Sequence, residues 1–198
     1  MSTRAQNRPA NTPQPPLHWS ERTDLTVDDI EALVQANAFT EYDRLELIDG
    51  TLVPMAAKGR RHEVVREELA DWLAKNAPND VFAASEPQLN LAEKLFRLPD
   101  LLLRPRHIKT PYLRGPDTLL VIEVADTSLP NDMTTKAAIY AAHGVREYWV
   151  INALTLVTTV HLDPSSAGYG RVSEVAANVR MVPSLVPTLS IQLDQLDI

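Results

Sequence analysis

Apolar residues recur along the chain in blocks, and the period changes from block to block. Thr26-Val27-Asp28-Asp29 places a threonine cap three residues before an acid, the pattern of a capping box, and Ile30, Leu33 and Val34 then give one apolar helical face. The run RLELIDGTLVPM predicts two short strands joined at Asp49-Gly50, because both turn residues tolerate positive φ. Val65, Leu69 and Leu73 repeat every four residues beside Trp72, so residues 61–76 predict a helix that stops before Pro78. Val81–Ala84, Gln88–Leu91 and Arg97–Leu103 predict strands, the last entered through Pro99. Thr118–Ala125 is nearly all apolar and of strand length, the signature of a strand covered on both faces. A helix is expected over residues 131–143, ended by Gly144, which takes the left-handed conformation at little cost. The strands VREYWVIN and TLVTTVHL follow, then a loop from Asp163 to Gly170, a strand RVSEVA and an extended C-terminal stretch. This order predicts an α/β domain (α+β, with a central mixed β-sheet) flanked by helices.

Composition narrows the class. The 198 residues are 44% hydrophobic and 23% charged, the mix of a soluble globular protein. Residues 1–16 carry four prolines and few apolar side chains and are expected to be a disordered tail, leaving 17–198 as one domain. No apolar run approaches the ~18–20 residues of a membrane span, and the N-terminus lacks the apolar stretch of a secretory signal. There is no cysteine, which removes thiol nucleophiles and cysteine metal sites and fits a cytoplasmic location. The net charge of −7 argues against an indiscriminate nucleic-acid coat. The charge is patchy, however. Lys58-Gly59-Arg60-Arg61 is basic, and the segment Arg97–Arg114 holds five Lys or Arg against a single acid, Asp100. Both clusters are candidate phosphate contacts or ordinary charged loops.

The chemistry begins with Glu123. It sits inside Leu119-Leu120-Val121-Ile122-Glu123-Val124-Ala125, and a carboxylate buried there needs a partner, a metal or a raised pKa. It is equally open to an edge-strand position or a structural ion pair. Asp100 repeats the pattern between Pro99 and Leu101, where a turn aspartate is the plain alternative. Two acids on neighbouring apolar strands make a hard oxygen donor set suited to Mg²⁺ or Mn²⁺ if they project to one place. Lys136 shares a helix face with Tyr140 and His143, and is otherwise a surface partner of Asp132.

The ordered string Arg97-Leu98-Pro99-Asp100, Ile122-Glu123-Val124, Asp132-x-x-x-Lys136-x-x-x-Tyr140 and Gly144-Val145-x-Glu147-Tyr148-Trp149 resembles the Uma-type family of restriction endonucleases. That family lies in the restriction-endonuclease-like superfamily with the pattern PD…(D/E)xK. Leu45–Gly50 resembles its opening hairpin and Arg61-His62 its next helix, so the likeness runs over roughly residues 26–196. Ala125 stands where the short superfamily pattern has lysine, Asn152 where aspartate is common, and Thr188 where glycine is usual. In the Uma-type pattern the lysine has moved to the helix, at Lys136. The resemblance implies a restriction-endonuclease-like core and a metal-dependent endonuclease that hydrolyses nucleic-acid phosphodiesters, with DNA as substrate. It implies Asp100 and Glu123 as ligands of Mg²⁺ or Mn²⁺, Lys136 at the water or phosphate, and Glu46 as an outer carboxylate. For Glu46 the alternative is a solvent-facing strand residue; for His62, a surface or capping residue; for Tyr140, packing. Related folds often pair, so a homodimer is expected by analogy, and no membrane partner is expected.

Rival classes are an inactive nuclease-like binding or regulatory protein and a structural dimer whose acids form only ion pairs. The enzyme requires Asp100, Glu123 and Lys136 to face one cavity, whereas an ion-pair network predicts Lys or Arg bridges between the acids. Phosphate-loop, zinc-helix and nucleophile-elbow motifs are absent. A two-carboxylate glycosidase would need more stacking surface than 6% aromatic residues supply.

Overall fold

Thr26 opens the first helix as the sequence predicts. In the computed structural model, which describes residues 22–39 and 44–198, its hydroxyl accepts the Asp29 N–H at 3.1 Å and the Asp29 carboxylate accepts the Thr26 N–H at 2.8 Å. The expected tail over residues 1–16 lies outside the described residues. Helix α1 (Val27–Gln35) buries Ile30 but leaves Val34 exposed, so its apolar face is narrower than the pattern suggested. Strands β1 (Leu45–Ile48) and β2 (Thr51–Pro54) form the expected hairpin. Asp49 and Gly50 both take positive φ, and a side chain at Gly50 would strike the Asp24 backbone at 2.8 Å.

Helix α2 (Arg60–Asn76) buries His62, Val65, Leu69 and Leu73 along one stripe. Strands β3 (Val81–Ser85), β4 (Leu89–Ala92), β5 (Leu95–Arg97) and β6 (Leu101–Pro105) follow. The single strand expected over 97–103 is therefore two strands, broken at Leu98-Pro99-Asp100. Pro99 has no N–H to give a ladder, and β5 and β6 lie in different sheets. β2-β1-β5-β4 make a four-stranded sheet around Leu25, Ile30, Leu45, Leu47, Leu52 and Phe96.

The larger sheet has the order β10-β9-β8-β7-β6-β3, with β7 (Leu120–Ala125), β8 (Glu147–Asn152), β9 (Thr158–Ser165) and β10 (Gly168–Val175). Only β7 and β8 run parallel. Their connection is the helical crossover that a parallel pair needs. It comprises α3 (Leu129–Asn131), a π turn over Asp132–Lys136 and α4 (Ala137–Ala142), ended by Gly144 at φ 76°. The sequence predicted one regular helix here. The expected loop 163–170 is mostly strand, since β9 runs to Ser165 and β10 starts at Gly168. Pro164 is tolerated because β8 stops pairing with β9 at Leu162, so no carbonyl of β8 awaits its missing N–H.

Alternation along β6, β7 and β8 splits the core. Leu101, Leu103, Leu120, Ile122, Val124, Trp149 and Ile151 pack beneath α2 and the C-terminal stretch. Leu102, Val121, Ala125, Tyr148 and Val150 face α4 and Leu113. Among the described residues no helix is long and apolar enough to cross a membrane.

Candidate active site

Strand register brings the two acids together. β6 and β7 are antiparallel with Leu101 opposite Ile122, so one step past that pair Asp100 comes alongside Glu123. The Asp100 Oδ2 accepts the Val124 N–H at 2.8 Å, tying the start of β6 to the end of β7. Both carboxylates are buried, at 2% and 3% exposure. They line one cavity of about 520 Å³ with Glu46, Lys58, His62, Arg97, Asp126 and Lys136.

Asp100 is held by three donors. Lys58 Nζ donates to Oδ1, His62 Nε2 lies 3.0 Å from Oδ2, and the Val124 N–H shares that oxygen. Burial opposes ionisation, but the His62 hydrogen bond and the Lys58 charge outweigh it and hold the carboxyl well below the usual range. His62 continues the buried stripe of α2 towards the N-terminus of the helix, and there it reaches Asp100. Its other nitrogen lies 3.2 Å from Glu63 Oε1. A histidine at an apolar-stripe position was the available signal; the surface or capping position is excluded by its 5% exposure.

Glu123 has a different shell. Tyr140 donates its hydroxyl to Oε1 at 3.0 Å, and Lys136 Nζ lies 3.0 Å from Oε2. Burial pushes the Glu123 carboxyl up; Lys136 pulls it back, but Asp100 and Asp132 add negative charge, leaving it at about 8. Lys136 also lies 2.9 Å from Asp132 Oδ1, and Ser128 donates to Oδ2 of that acid at 2.6 Å. Burial would lower the Lys136 ammonium, but Glu123 and Asp132 override it and hold it above the ordinary lysine range. The Asp132–Lys136 pair foreseen as a surface feature is therefore buried: Asp132 is 1% exposed. The π turn that carries both residues is a local irregularity of a kind frequent at functional sites.

Glu46 does not face solvent. It lines the cavity at 7% exposure, but Arg97 Nη1 donates to its Oε2 at 2.6 Å and the Leu98 N–H to its Oε1 at 3.1 Å. These bonds fasten the four-stranded sheet to the turn that presents Asp100. Asp126 follows β7, lines the same cavity and makes no hydrogen bond or ion pair among the described residues.

The basic clusters are mostly engaged with the protein itself. Arg104 donates to the carbonyls of Pro105, Arg106 and Ile108 and stacks over Phe82, its guanidinium carbon 4.2 Å from the ring centre. Arg106 donates to the carbonyls of Asn79 and Val81 at 2.6 and 2.8 Å, and Arg114 to that of Leu113 at 3.1 Å. Arg61 donates to the Ala153 carbonyl at 3.0 Å, and Lys58 turns into the cavity. These arginines cap backbone and are not a ready phosphate strip. Sequence reasoning also missed Glu86, which ion-pairs with both Arg44 and Lys58 and gave no motif to find it by.

Among the described residues no group of three or more His, Asp or Glu side chains is arranged to hold an ion. The two-acid set still fits a hard cation. Its donors are carboxylate oxygens, Glu123 feels the negative charge of Asp100, and Mg²⁺ commonly takes one or two carboxylates with the rest of its shell from water and substrate phosphate. Each acid carries its own lysine, Lys58 on Asp100 and Lys136 on Glu123, but among the described residues no single Lys or Arg forms an ion pair with both.

The mixed sheet flanked by helices is a restriction-endonuclease-like α/β fold, with Glu123 on its parallel strand pair and Lys136 on the crossover. The same fold appears in the crystal structure of a "putative nuclease belonging to DUF820" from Anabaena variabilis ATCC 29413, at 14% identity and TM-score 0.65, covering 86% of this chain and 96% of that one. The chain belongs to the Uma2 family, described as "putative restriction endonuclease", whose model matches residues 28–194. Comparison with curated proteins gives no match.

Proposed function

We propose that the protein is a metal-dependent endonuclease that hydrolyses phosphodiester bonds of DNA. The observation that carries this reading is the convergence of Asp100, Glu123 and Lys136 on one cavity from the start of β6, the interior of β7 and the helical crossover. Asp100 and Glu123 would hold Mg²⁺ or Mn²⁺. When bound, such an ion supplies Lewis-acid stabilisation of phosphate charge and eases formation of a nucleophile near neutral pH. The chain's own groups do the rest. His62 and the Val124 N–H fix the orientation of Asp100, and Tyr140 fixes that of Glu123. Lys136, kept charged by Glu123 and Asp132, offers a cation to a phosphate oxygen in a site sheltered from solvent, where such a charge acts most strongly. Family membership supports the reaction class, and the donor chemistry supports the ion.

A second reading is a nuclease-like binding protein without activity. The specific observation in its favour is Lys58, whose ammonium sits on Asp100. Plasmid nicking by purified protein with Mg²⁺, Mn²⁺ or EDTA separates the two. The enzyme nicks with metal, stops with EDTA, and loses activity on Asp100→Ala and on Lys136→Ala. Cleavage that survives both substitutions removes this mechanism; a folded protein that binds DNA without cutting it supports the second reading.

A further inference from the structure

Lys58 is a cavity cation to which the catalytic reading gives no work. Its side chain is 10% exposed, and its ammonium bridges two acids that come from different strand ends. One is Asp100 Oδ1; the other is Glu86 Oε1, at 2.6 Å. Glu86 is placed there by its backbone, which takes a positive φ of 49° and donates its N–H to the Asp100 carbonyl at 3.0 Å. Arg44 holds the same Glu86 oxygen from the other side. Lys58 lies in the irregular segment between β2 and α2, so its ammonium can move without breaking a helix or a ladder.

Both oxygens of Asp100 are already engaged, Oδ2 by His62 and the Val124 N–H and Oδ1 by Lys58, so an ion that takes Oδ1 meets the Lys58 ammonium in its place and is repelled by it. We propose that Lys58 is a tethered counter-cation of Asp100 that a divalent ion must displace, and that Glu86 retains the released ammonium. This rests on the metal reading above. In the metal-free protein the lysine spares Asp100 the cost of a buried, unpaired charge. On metal binding Glu86 becomes the principal partner of Lys58, so its attraction lowers the cost of the exchange.

The two residues therefore act on metal affinity with opposite sign. The test is calorimetric titration of the full chain with MnCl₂, comparing wild type, Lys58→Met, Lys58→Gln, Glu86→Gln and the Lys58→Met/Glu86→Gln double variant, with folding checked by circular dichroism. Lys58→Met and Lys58→Gln are expected to bind Mn²⁺ about tenfold more tightly than wild type, the scale of one close charge pair. Glu86→Gln alone is expected to bind about threefold more weakly, and to change nothing once Lys58 is neutral, as in a closed double-mutant cycle. Unchanged or weaker binding by both folded Lys58 variants overturns the inference while leaving the metal site standing. Loss of Mn²⁺ binding in wild type and variants alike overturns both. Tighter Mn²⁺ binding by the Lys58 variants without plasmid nicking supports the inference and overturns the nuclease reading.

Discussion

Asp100 just before β6 and Glu123 within the neighbouring β7 are both buried carboxylates, yet the two sides of the cavity treat them in opposite ways. The Asp100 side supplies three donors, two of them on cationic side-chain types, and holds the acid far below its usual range. The Glu123 side supplies one lysine and one phenol, and that lysine is shared with Asp132. There burial wins, and the carboxyl rises to about 8. The lesson is that burial, the number of donors on an acid and the like charges beside it together decide its state. One acid is already compensated by the protein; the other still carries an unmet demand for positive charge.

The largest expected effect comes from breaking the compensated side. Asp100→Ala leaves Lys58 and His62 facing each other across a cavity and strands the Val124 N–H. It is expected to lower stability by about 3–5 kcal/mol, the usual loss when one partner of a buried ionic network is removed. Urea unfolding measures this, and a loss below about 1 kcal/mol would show that these contacts contribute little. Glu123→Gln should go the other way. Its pKa of about 8 lies above the 4.5 of an unperturbed glutamate, so the folded state holds a proton that the unfolded chain has released. That proton favours folding below about pH 4.5, and the contribution is lost as pH climbs through 8. Without metal, Glu123→Gln should therefore equal or exceed wild type in stability at pH 9, by about 1–3 kcal/mol, with the gain shrinking towards pH 5. Asp100 has the opposite linkage, since its stabilisation holds above the ordinary 3.8 and fades as pH falls below it. Parallel stability–pH curves for wild type and Glu123→Gln would contradict the contrast.

How much of this was legible in the sequence follows the same physics. Helix α2 was readable because Val65, Leu69 and Leu73 repeat at one period, and β7 because almost every residue in it is apolar. Glu123 stood out because a carboxylate in such a run is costly. Asp100 was marked by the proline beside it. What was hidden depends on contacts between distant segments. The break of strand 97–103 follows from β5 joining the smaller sheet, which no local pattern announces. The π turn carries Asp132 and Lys136, whose ion pairs with each other and with Glu123 join segments that no local pattern connects. Lys58 looked like surface charge because its neighbours are Gly59, Arg60 and Arg61; only the packed chain reveals Glu86 and Asp100 beside it.

The smallest expected effect tests the weaker half of the Glu123 shell. Tyr140 is fully buried, its ring lies 5.0 Å from that of Tyr148, and its hydroxyl donates to Glu123 at 3.0 Å. Tyr140→Phe keeps the ring packing and removes only the donor. Replacing a neutral donor to a buried group costs about 0.5–1.5 kcal/mol, and more when the acceptor is charged. If Glu123 titrates near 8, the phenol serves a largely neutral carboxyl at pH 5 and an anion at pH 9. The loss of stability in Tyr140→Phe should therefore be larger at pH 9 than at pH 5, and this pH difference should vanish when Tyr140→Phe is made in a Glu123→Gln background, where no charge forms. Chemical denaturation of the four proteins at both pH values measures this. An equal cost at both would mean that Glu123 is already ionised at pH 5, and that its side of the cavity is as well compensated as that of Asp100.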